Sequence, residues 1–288
     1  MKLEFFKTLW GHTGPYAAAA DLAVKAGFTG LEGPIPTYPA IREEFLEALK
    51  SRNLGYIAEI STTGFAVPDP GSTPREHLAA FERILVNSLE ASPRFFTSMA
   101  GNDLWEFSES VAFFQSAKTI ADRYRVRVGF ETHRSRSLFH PIVTKNILRE
   151  IPDLELTIDL SHWCNVCERL VLDELPDVLA LCAERVLHIQ PRVGYDQGAQ
   201  IPDPRSATYR APIEAHLRWW KTLWAGQEKR GFTEITLTPE FGPDGYQQID
   251  PNTGTPHGDL WEFNQYMAQL LRAAFEQDCS DPGQTNQR

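Results

Sequence analysis

The sequence has few cysteines, no excess of basic residues and no long apolar run near its start. Four cysteines in 288 residues do not make a disulfide framework, and Cys164 and Cys167 have no second pair with which to hold zinc. The 28 Lys and Arg against 38 Asp and Glu leave a net charge of −10, which argues against nucleic acids and anionic membranes as partners. Residues 1–7 have the pattern of neither a signal peptide nor a membrane anchor, so we expect a cytoplasmic protein.

Strand-like and helical segments alternate along the whole chain. The strand-like segments are apolar and rich in β-branched residues, and the helical ones place apolar residues on one face between glycine and proline boundaries. The predicted strands are 2–10, 28–32, 54–60, 94–99, 126–131, the stretch 154–163 that opens as a strand, 186–190 and 234–239. The predicted helices are 16–25, 41–50, 76–89, 105–124, 141–150, 172–184, 213–230 and 260–275.

Eight such units without a break in composition predict one domain of the α/β class, a single (β/α)₈ TIM barrel over residues 1–276. The polar residues 277–288 are expected to form a flexible tail. An open doubly wound sheet is the alternative. It needs a G-x-G-x-x-G turn after the first strand, and the stretch 11–14, Gly-His-Thr-Gly, does not supply one.

Four residues that can ligate a metal follow or end consecutive predicted strands: Glu131, Asp159, His188 and Glu240. In a barrel the carboxyl ends of the strands meet at one face, so these side chains should converge. Buried together they would repel one another unless a cation lay between them. The set of three carboxylates and one imidazole suits one divalent ion, Mn²⁺, Mg²⁺, Co²⁺ or Zn²⁺.

Other polar and aromatic residues are expected to contact a substrate. Arg134 and Arg192 lie near the ligands in sequence and suit a planar anionic group. Trp10, His12 and Asn102 follow other strands and could stack on a polyol or hydrogen-bond it. The irregular stretch 192–210 is the better candidate for a loop that covers the site, and the tryptophans of segment 213–230 are expected to bury that helix against the barrel.

The order of these residues resembles the xylose isomerase-like sugar-phosphate isomerase/epimerase superfamily. The pattern is Glu131, then Asp159-x-x-His162, then His188-x-x-x-Arg192, then Glu240, and it spans essentially the whole barrel. That superfamily includes ketose 3-epimerases, inosose isomerases and dehydratases, and apurinic-site endonucleases. The resemblance implies one metal held by the four ligands, with His162 and Arg192 on substrate oxygens. The extra histidines of the endonucleases' trinuclear zinc site are missing from the early strand ends, which argues against nuclease activity.

The reaction predicted from this resemblance is metal-dependent isomerisation or epimerisation of a small sugar, keto-sugar or related hydroxy-carbonyl compound. Glu131 and Glu240 would move protons through an enediolate, with His133 and His162 the next candidates for the base. Two alternatives stay open: a dehydratase or lyase of a keto-sugar or inosose, and a non-catalytic barrel that binds a sugar or an acid. The expected partner is a small polyol or carbonyl compound, neutral or anionic. A homo-oligomer is compatible with the sequence.

Overall fold

A computed structural model describes residues 1–280 of the chain. Its eight strands are parallel and close in chain order into a barrel, which confirms the predicted single (β/α)₈ architecture. The strands are β1 (Lys2–Thr8), β2 (Gly30–Gly33), β3 (Gly55–Ser61), β4 (Phe96–Met99), β5 (Val128–Glu131), β6 (Leu156–Ile158), β7 (Val186–Ile189) and β8 (Glu234–Leu237). The helices are α1 (Tyr16–Lys25), α2 (Pro39–Ser51), α3 (Pro74–Ser88), α4 (Phe107–Tyr124), α5 (Pro141–Glu150), α6 (Ser161–Val166), α7 (Pro176–Ala183), α8 (Arg210–Lys229) and α9 (Leu260–Ser280).

Two stretches differ from the sequence prediction. The stretch 154–163 divides into the short strand β6 and the short helix α6, whose first backbone N–H, that of Ser161, donates to Asp159 Oδ1 at 2.9 Å. Helix α9 continues to Ser280, so residues 277–280, predicted as part of the tail, are helical. The remaining residues of the predicted tail lie outside the described part of the chain.

Proline and a capping box define where several helices begin. Helices α2, α3, α5 and α7 each carry proline at one of their first positions, where the missing N–H breaks no hydrogen bond. At α3, Thr73 and Glu76 accept hydrogen bonds from each other's backbone N–H. These local signals fix the helix ends next to the loops that reach the carboxyl face of the barrel.

The barrel interior is closed at the amino ends of the strands by a small apolar cluster, Phe6, Ile57, Phe95 and Leu187. Gly30 allows the close approach that this cluster needs, because a Cβ there would lie 2.3 Å from Phe6 Cε1. We call this cluster the apolar floor. Side chains nearer the carboxyl ends of the strands lie above it, in an interior that is closed at the amino end of the barrel.

A register shift in β7 changes which of its side chains point inward. Leu156 pairs with Val186 whereas Thr157 pairs with His188, so Leu187 is an extra residue in β7. Leu187 packs in the apolar floor, and the next residue, His188, also contacts groups across the barrel interior. Two consecutive residues therefore face inward, which regular alternation would forbid.

Helix α8 packs against the barrel through its aromatic residues, as predicted. Trp219, Trp220 and Trp224 are at most 2% exposed. His216 on the same helix is fully buried, and its Nδ1–H donates to Pro212 O at 2.9 Å while Nε2 accepts from the Gly194 N–H at 3.3 Å. This imidazole joins α8 to the loop that follows β7.

Within residues 1–280, no helix combines the length and the apolar character needed to cross a membrane.

Acid should destabilise the fold through His216. Burial lowers the pKa of its imidazole from 6.5 to about 4, so between these pH values the unfolded chain binds a proton that the folded chain does not. We expect this residue to reduce the free energy of unfolding by up to about 3 kcal/mol as pH falls from 7 to 4. Urea unfolding at several pH values measures it.

In the variant His216→Gln the loss of stability between pH 7 and pH 4 should be smaller than in the wild type. His257→Gln, which replaces an exposed imidazole, is the control and should keep the wild-type dependence. An unchanged dependence in His216→Gln would contradict the assignment.

Candidate functional site

Three carboxylates converge at the carboxyl ends of the strands. Glu131 ends β5, Asp159 follows β6 and Glu240 follows β8, and they are 3%, 0% and 8% exposed. One oxygen from each lies within 4.8 Å of the others. The positive charge beside them is the buried guanidinium of Arg192, whose Nη2 donates to Asp159 Oδ2 and lies 4.0 Å from Glu240 Oε2.

Burial governs the electrostatics of this cluster. It raises the pKa of Glu131 and of Glu240 well above 4.5; the neighbouring carboxylates act in the same direction, and Arg192 opposes it. Burial also raises the pKa of Asp159, again against the effect of Arg192. For Arg192 itself burial acts to lower the pKa, but Asp159 and the other nearby groups outweigh it, so the pKa is raised and the guanidinium stays charged.

Two buried imidazoles lie beside Glu131. The rings of His133 and His162 are 3.9 Å apart, and each offers a nitrogen within 4.8 Å of a Glu131 oxygen. Burial lowers the pKa of both well below 6.5, so both are neutral at pH 7. His162 Nε2 accepts from Arg192 Nη2 at 2.7 Å, so Nδ1 carries the hydrogen; that buried N–H has no partner among the described residues.

His133 is held in the opposite tautomer. Its Nδ1–H donates to the carbonyl of Arg134, so Nε2 carries the lone pair and accepts from the Tyr246 hydroxyl at 3.4 Å. The two rings thus present one donor and one acceptor to the same space, next to a carboxylate.

His188, predicted as the fourth metal ligand, lies away from the carboxylates in this structure. Its Nε2–H donates to Glu32 Oε2 at 2.9 Å, and its Nδ1 bonds the Thr236 hydroxyl at 2.8 Å. Neither group of metal-ligating side chains found among the described residues includes it. The extra residue Leu187 places His188 next to the apolar floor, with its ring centroid 5.4 Å from that of Phe95.

A polar layer lies between the floor and the carboxylates. Glu32 on β2 accepts from His188, from the Gln190 amide at 2.9 Å and from the Thr238 hydroxyl. Gln190 Oε1 is buried without a partner among the described residues. This layer holds the interior side of β7 in place below Arg192.

A cavity that is open to solvent lies above the carboxylates, and the empty space within it and at its mouth is about 340 Å³. Trp10, Phe65 and Tyr246, from the loops after β1, β3 and β8, line it. The Trp10 ring meets Tyr246 edge-on at 5.1 Å, and its indole N–H donates to Asp244 at 2.7 Å. A wider outer cavity, with about 860 Å³ of empty space, shares Trp10 and Phe65 as walls.

The other predicted contacts lie at different depths. Arg134 is half-buried over the Tyr246 ring at 4.5 Å and donates to Asn165. His12 lines the outer cavity, with its Nε2 3.1 Å from Pro15 O. Asn102 uses its side-chain oxygen to accept from the Leu104 N–H at 2.9 Å, which is a structural role in its loop.

The stretch 192–210, predicted to cover the site, contributes Arg192 to the cavity wall. Another residue of this stretch contacts the loop after β8. Gln200 in that loop exchanges hydrogen bonds with the backbone of Gly242 after β8. The aromatic residues that narrow the cavity come instead from the loops after β1, β3 and β8.

Sequence reasoning missed several residues of this region. Glu59 lies inside β3 rather than at its end, and Tyr246 lies six residues after Glu240 in a loop. Arg136 is fully buried and donates to backbone carbonyls of the loop after β3. An acid in the middle of an apolar strand was the available signal for Glu59, since buried acids need a reason.

The donor set fits a divalent cation. When ionised, Glu131, Asp159 and Glu240 carry three negative charges against the single charge of Arg192, inside a buried cluster whose oxygens already converge. Oxygen donors in this number suit hard or borderline cations.

The barrel has the xylose isomerase-like fold, and the comparisons with solved structures agree. No protein-family profile and no curated protein matches the sequence. The chain is similar to a D-psicose 3-epimerase from Clostridium cellulolyticum H10 in complex with D-tagatose (12% identity, 95% of this chain and 99% of that chain, TM-score 0.62). It is similar to a xylose isomerase domain protein from Alicyclobacillus acidocaldarius (16% identity, 95% and 99%, TM-score 0.61). It is also similar to an IOLI protein with a bound zinc atom (13% identity, 99% and 100%, TM-score 0.62).

Arg136 should hold the loop that carries Phe65 over the cavity. Its guanidinium donates to the carbonyls of Thr63, Phe65, Ala66 and Gly101, and hydrogen bonds from a charged donor contribute about 1.5–3 kcal/mol each. We expect Arg136→Met to speed chymotrypsin cleavage after Phe65 at least about tenfold, because local opening becomes easier. Arg169→Met, at an exposed arginine, is the control. Equal cleavage rates in wild type and Arg136→Met would show that the loop is held by other contacts.

Proposed function

We propose that this protein is a divalent-metal-dependent isomerase or epimerase of a small keto-sugar or related hydroxy-carbonyl compound. The observation that carries the proposal is the convergence of Glu131, Asp159 and Glu240, three buried carboxylates around one guanidinium, beneath a cavity. The sugar epimerase and the zinc-containing protein among the similar structures support both the reaction class and the metal.

Glu131, Asp159 and Glu240 would hold one divalent ion, Mn²⁺, Mg²⁺, Co²⁺ or Zn²⁺. The bound ion would polarise the substrate carbonyl and make the neighbouring C–H more acidic. Arg192 fixes the Asp159 carboxylate and favours its ionised form through charge and hydrogen bonding.

Glu131 and Glu240 are the proposed acid–base pair. One carboxylate takes the proton from the carbon next to the carbonyl, and the electron pair of that C–H bond passes into the enediolate. The other, in its acid form, returns a proton to the opposite face for epimerisation or to the adjacent carbon for isomerisation. In isomerisation the proton of the neighbouring hydroxyl also passes to the former carbonyl oxygen. Each turnover leaves the proton on the other glutamate, and exchange with water restores the starting state. Their buried setting supports this role, because burial makes both carboxylates more basic.

The imidazoles and aromatic rings complete the proposal. The unpartnered Nδ1–H of His162 is suited to donate to a substrate oxygen. A substrate hydroxyl that replaces the Tyr246 hydroxyl, now 3.4 Å away, would donate to His133 Nε2. Trp10 and Tyr246 limit the access of water, which strengthens each polar contact inside the cavity.

Metal analysis tests the ligand set. Protein purified without chelator should carry close to one divalent ion per chain, because the three carboxylates need a counter-charge. Asp159→Ala should lose the ion. His188→Gln, the matched control at the residue that bonds Glu32, should keep it, provided its circular dichroism shows a folded protein.

Loss of the ion in folded His188→Gln would return this histidine to the ligand set. Three ions per chain, or none after purification from metal-supplemented cells, would contradict the single-metal site.

Proton exchange tests the reaction. Incubation in D₂O with D-fructose, D-psicose, D-tagatose or D-sorbose should place deuterium on a carbon next to the carbonyl. Glu131→Gln and Glu240→Gln should each slow the exchange at least ~100-fold, since general base catalysis contributes that much or more. Glu43→Gln, at an exposed residue of α2, should leave it unchanged.

Exchange that survives in both glutamine variants would move the base to another residue, with His133 and His162 tested next. Loss of a hydroxyl group from the sugar without epimerisation would favour a dehydratase. Binding without exchange by the wild type would favour a binding protein.

A further inference from the structure

Two carboxyl groups inside the barrel have opposite surroundings. Glu32 accepts hydrogen bonds from His188, Gln190 and Thr238. Glu59 on β3 is only 8% exposed, yet it has no hydrogen bond or ion pair with any residue of the described chain. It lines both the cavity above the carboxylates and the outer cavity, and its oxygens are not among the fully inaccessible polar atoms that lack a partner. The Glu59 carboxyl is therefore open to a ligand.

A buried carboxyl without a hydrogen-bond partner lowers the stability of the folded protein. Such a residue is therefore a candidate for binding a ligand. Burial, reinforced by Glu32, raises the pKa of Glu59 to about 7, and Arg136 opposes the shift only weakly. Arg136 gives its hydrogen bonds to loop carbonyls. The remaining hydrogen-bond partners are molecules that enter the cavity, either water or a substrate that displaces it.

The position of Glu59 indicates which part of a substrate it would contact. In the closed ring β3 lies opposite β7, so Glu59 lies across the barrel from the wall that carries Arg192. Glu131 and Glu240 come from β5 and β8. A substrate with its reacting carbon between those two glutamates would extend its other end toward Glu59.

The chemistry of that wall favours a hydroxyl group. Trp10, Phe65 and Met99 offer apolar surfaces beside Glu59, which suit the C–H faces of a sugar, while the carboxyl suits its O–H groups. An anionic group would meet Glu59 in a cavity that Glu131 and Glu240 also line.

We propose that Glu59 is a specificity-determining residue, whose carboxyl hydrogen-bonds the hydroxyl group at the end of the substrate away from the reacting carbonyl and rejects a phosphate or carboxylate there. This inference rests on the proposed function, because it takes the substrate to be a keto-sugar. It assigns the β3 wall to the unreactive end of the molecule.

Calorimetric titration of the metal-loaded full-length protein tests the inference. The probes are D-fructose, D-psicose, D-tagatose and D-sorbose, followed by the 6-deoxy, 6-amino and 6-phosphate derivatives of the sugar that binds most tightly. In the wild type the 6-deoxy sugar should bind about 10- to 100-fold more weakly than its parent, the range expected for one hydrogen bond to a charged group. The 6-phosphate should bind at least about tenfold more weakly than the parent.

Two variants separate the role of Glu59 from general damage. In Glu59→Gln the difference between parent and 6-deoxy sugar should shrink, since a neutral amide bonds less strongly, and the 6-phosphate should bind better than it does to the wild type. In Glu59→Leu the difference should disappear. Glu43→Gln should behave as the wild type does.

Several outcomes would overturn the inference. These are an unchanged preference in both Glu59 variants, tighter binding of the 6-amino sugar than of its parent, and loss of metal from Glu59→Gln, which would make this residue a ligand. A wild type that binds none of the four sugars would also overturn it, even where a metal content near one per chain leaves the proposed metal site standing.

Discussion

The burial of three carboxylates against one guanidinium is the constraint on which the rest of the site depends. At low effective dielectric, like charges this close repel strongly, and each also loses its hydration. The protein offsets part of this through Arg192, whose guanidinium lies 4.6 Å from the Tyr246 ring centroid and 5.5 Å from that of Trp10. Trp10 and Tyr246, which line the cavity, therefore also contact the guanidinium of Arg192. The same two side chains influence both the access to the site and the position of its positive charge.

The support for this cluster comes from layers stacked along the barrel axis. Apolar side chains form the floor, the network around Glu32 forms a fully buried polar layer, and the carboxylates stand above it. Polar networks of this kind are rigid when every member is satisfied. Glu32 has its partners and Glu59 does not, which is why two acids in one interior can serve different purposes: one maintains the scaffold and the other remains available.

The sequence alone predicts the barrel because the alternation of strands and helices is regular and unbroken over eight units. It also brings Glu131, Asp159 and Glu240 together, since strand ends in a parallel barrel must meet at one face. It fails for His188, because the extra residue in β7 has no signature in residue type and changes what that strand presents inward. Sequence reasoning does not identify Glu59 and Tyr246 as cavity residues. One lies inside a strand and the other far along a loop, and only tertiary structure brings such positions to the cavity.

The extra residue in β7 has a consequence for protein design. Beyond it, His188, Gln190 and Arg192 are spaced by two along the chain. The first two bond Glu32 in the polar layer, and the third bonds Asp159 among the carboxylates. A designer who wanted an imidazole from this strand among the carboxylates would gain nothing by altering His188. The position to substitute instead is Gln190, the next residue that faces inward, whose side-chain oxygen has no partner among the described residues. The one-residue bulge at Leu187 thus determines which residue of this strand and its following loop can place a nitrogen among the carboxylates.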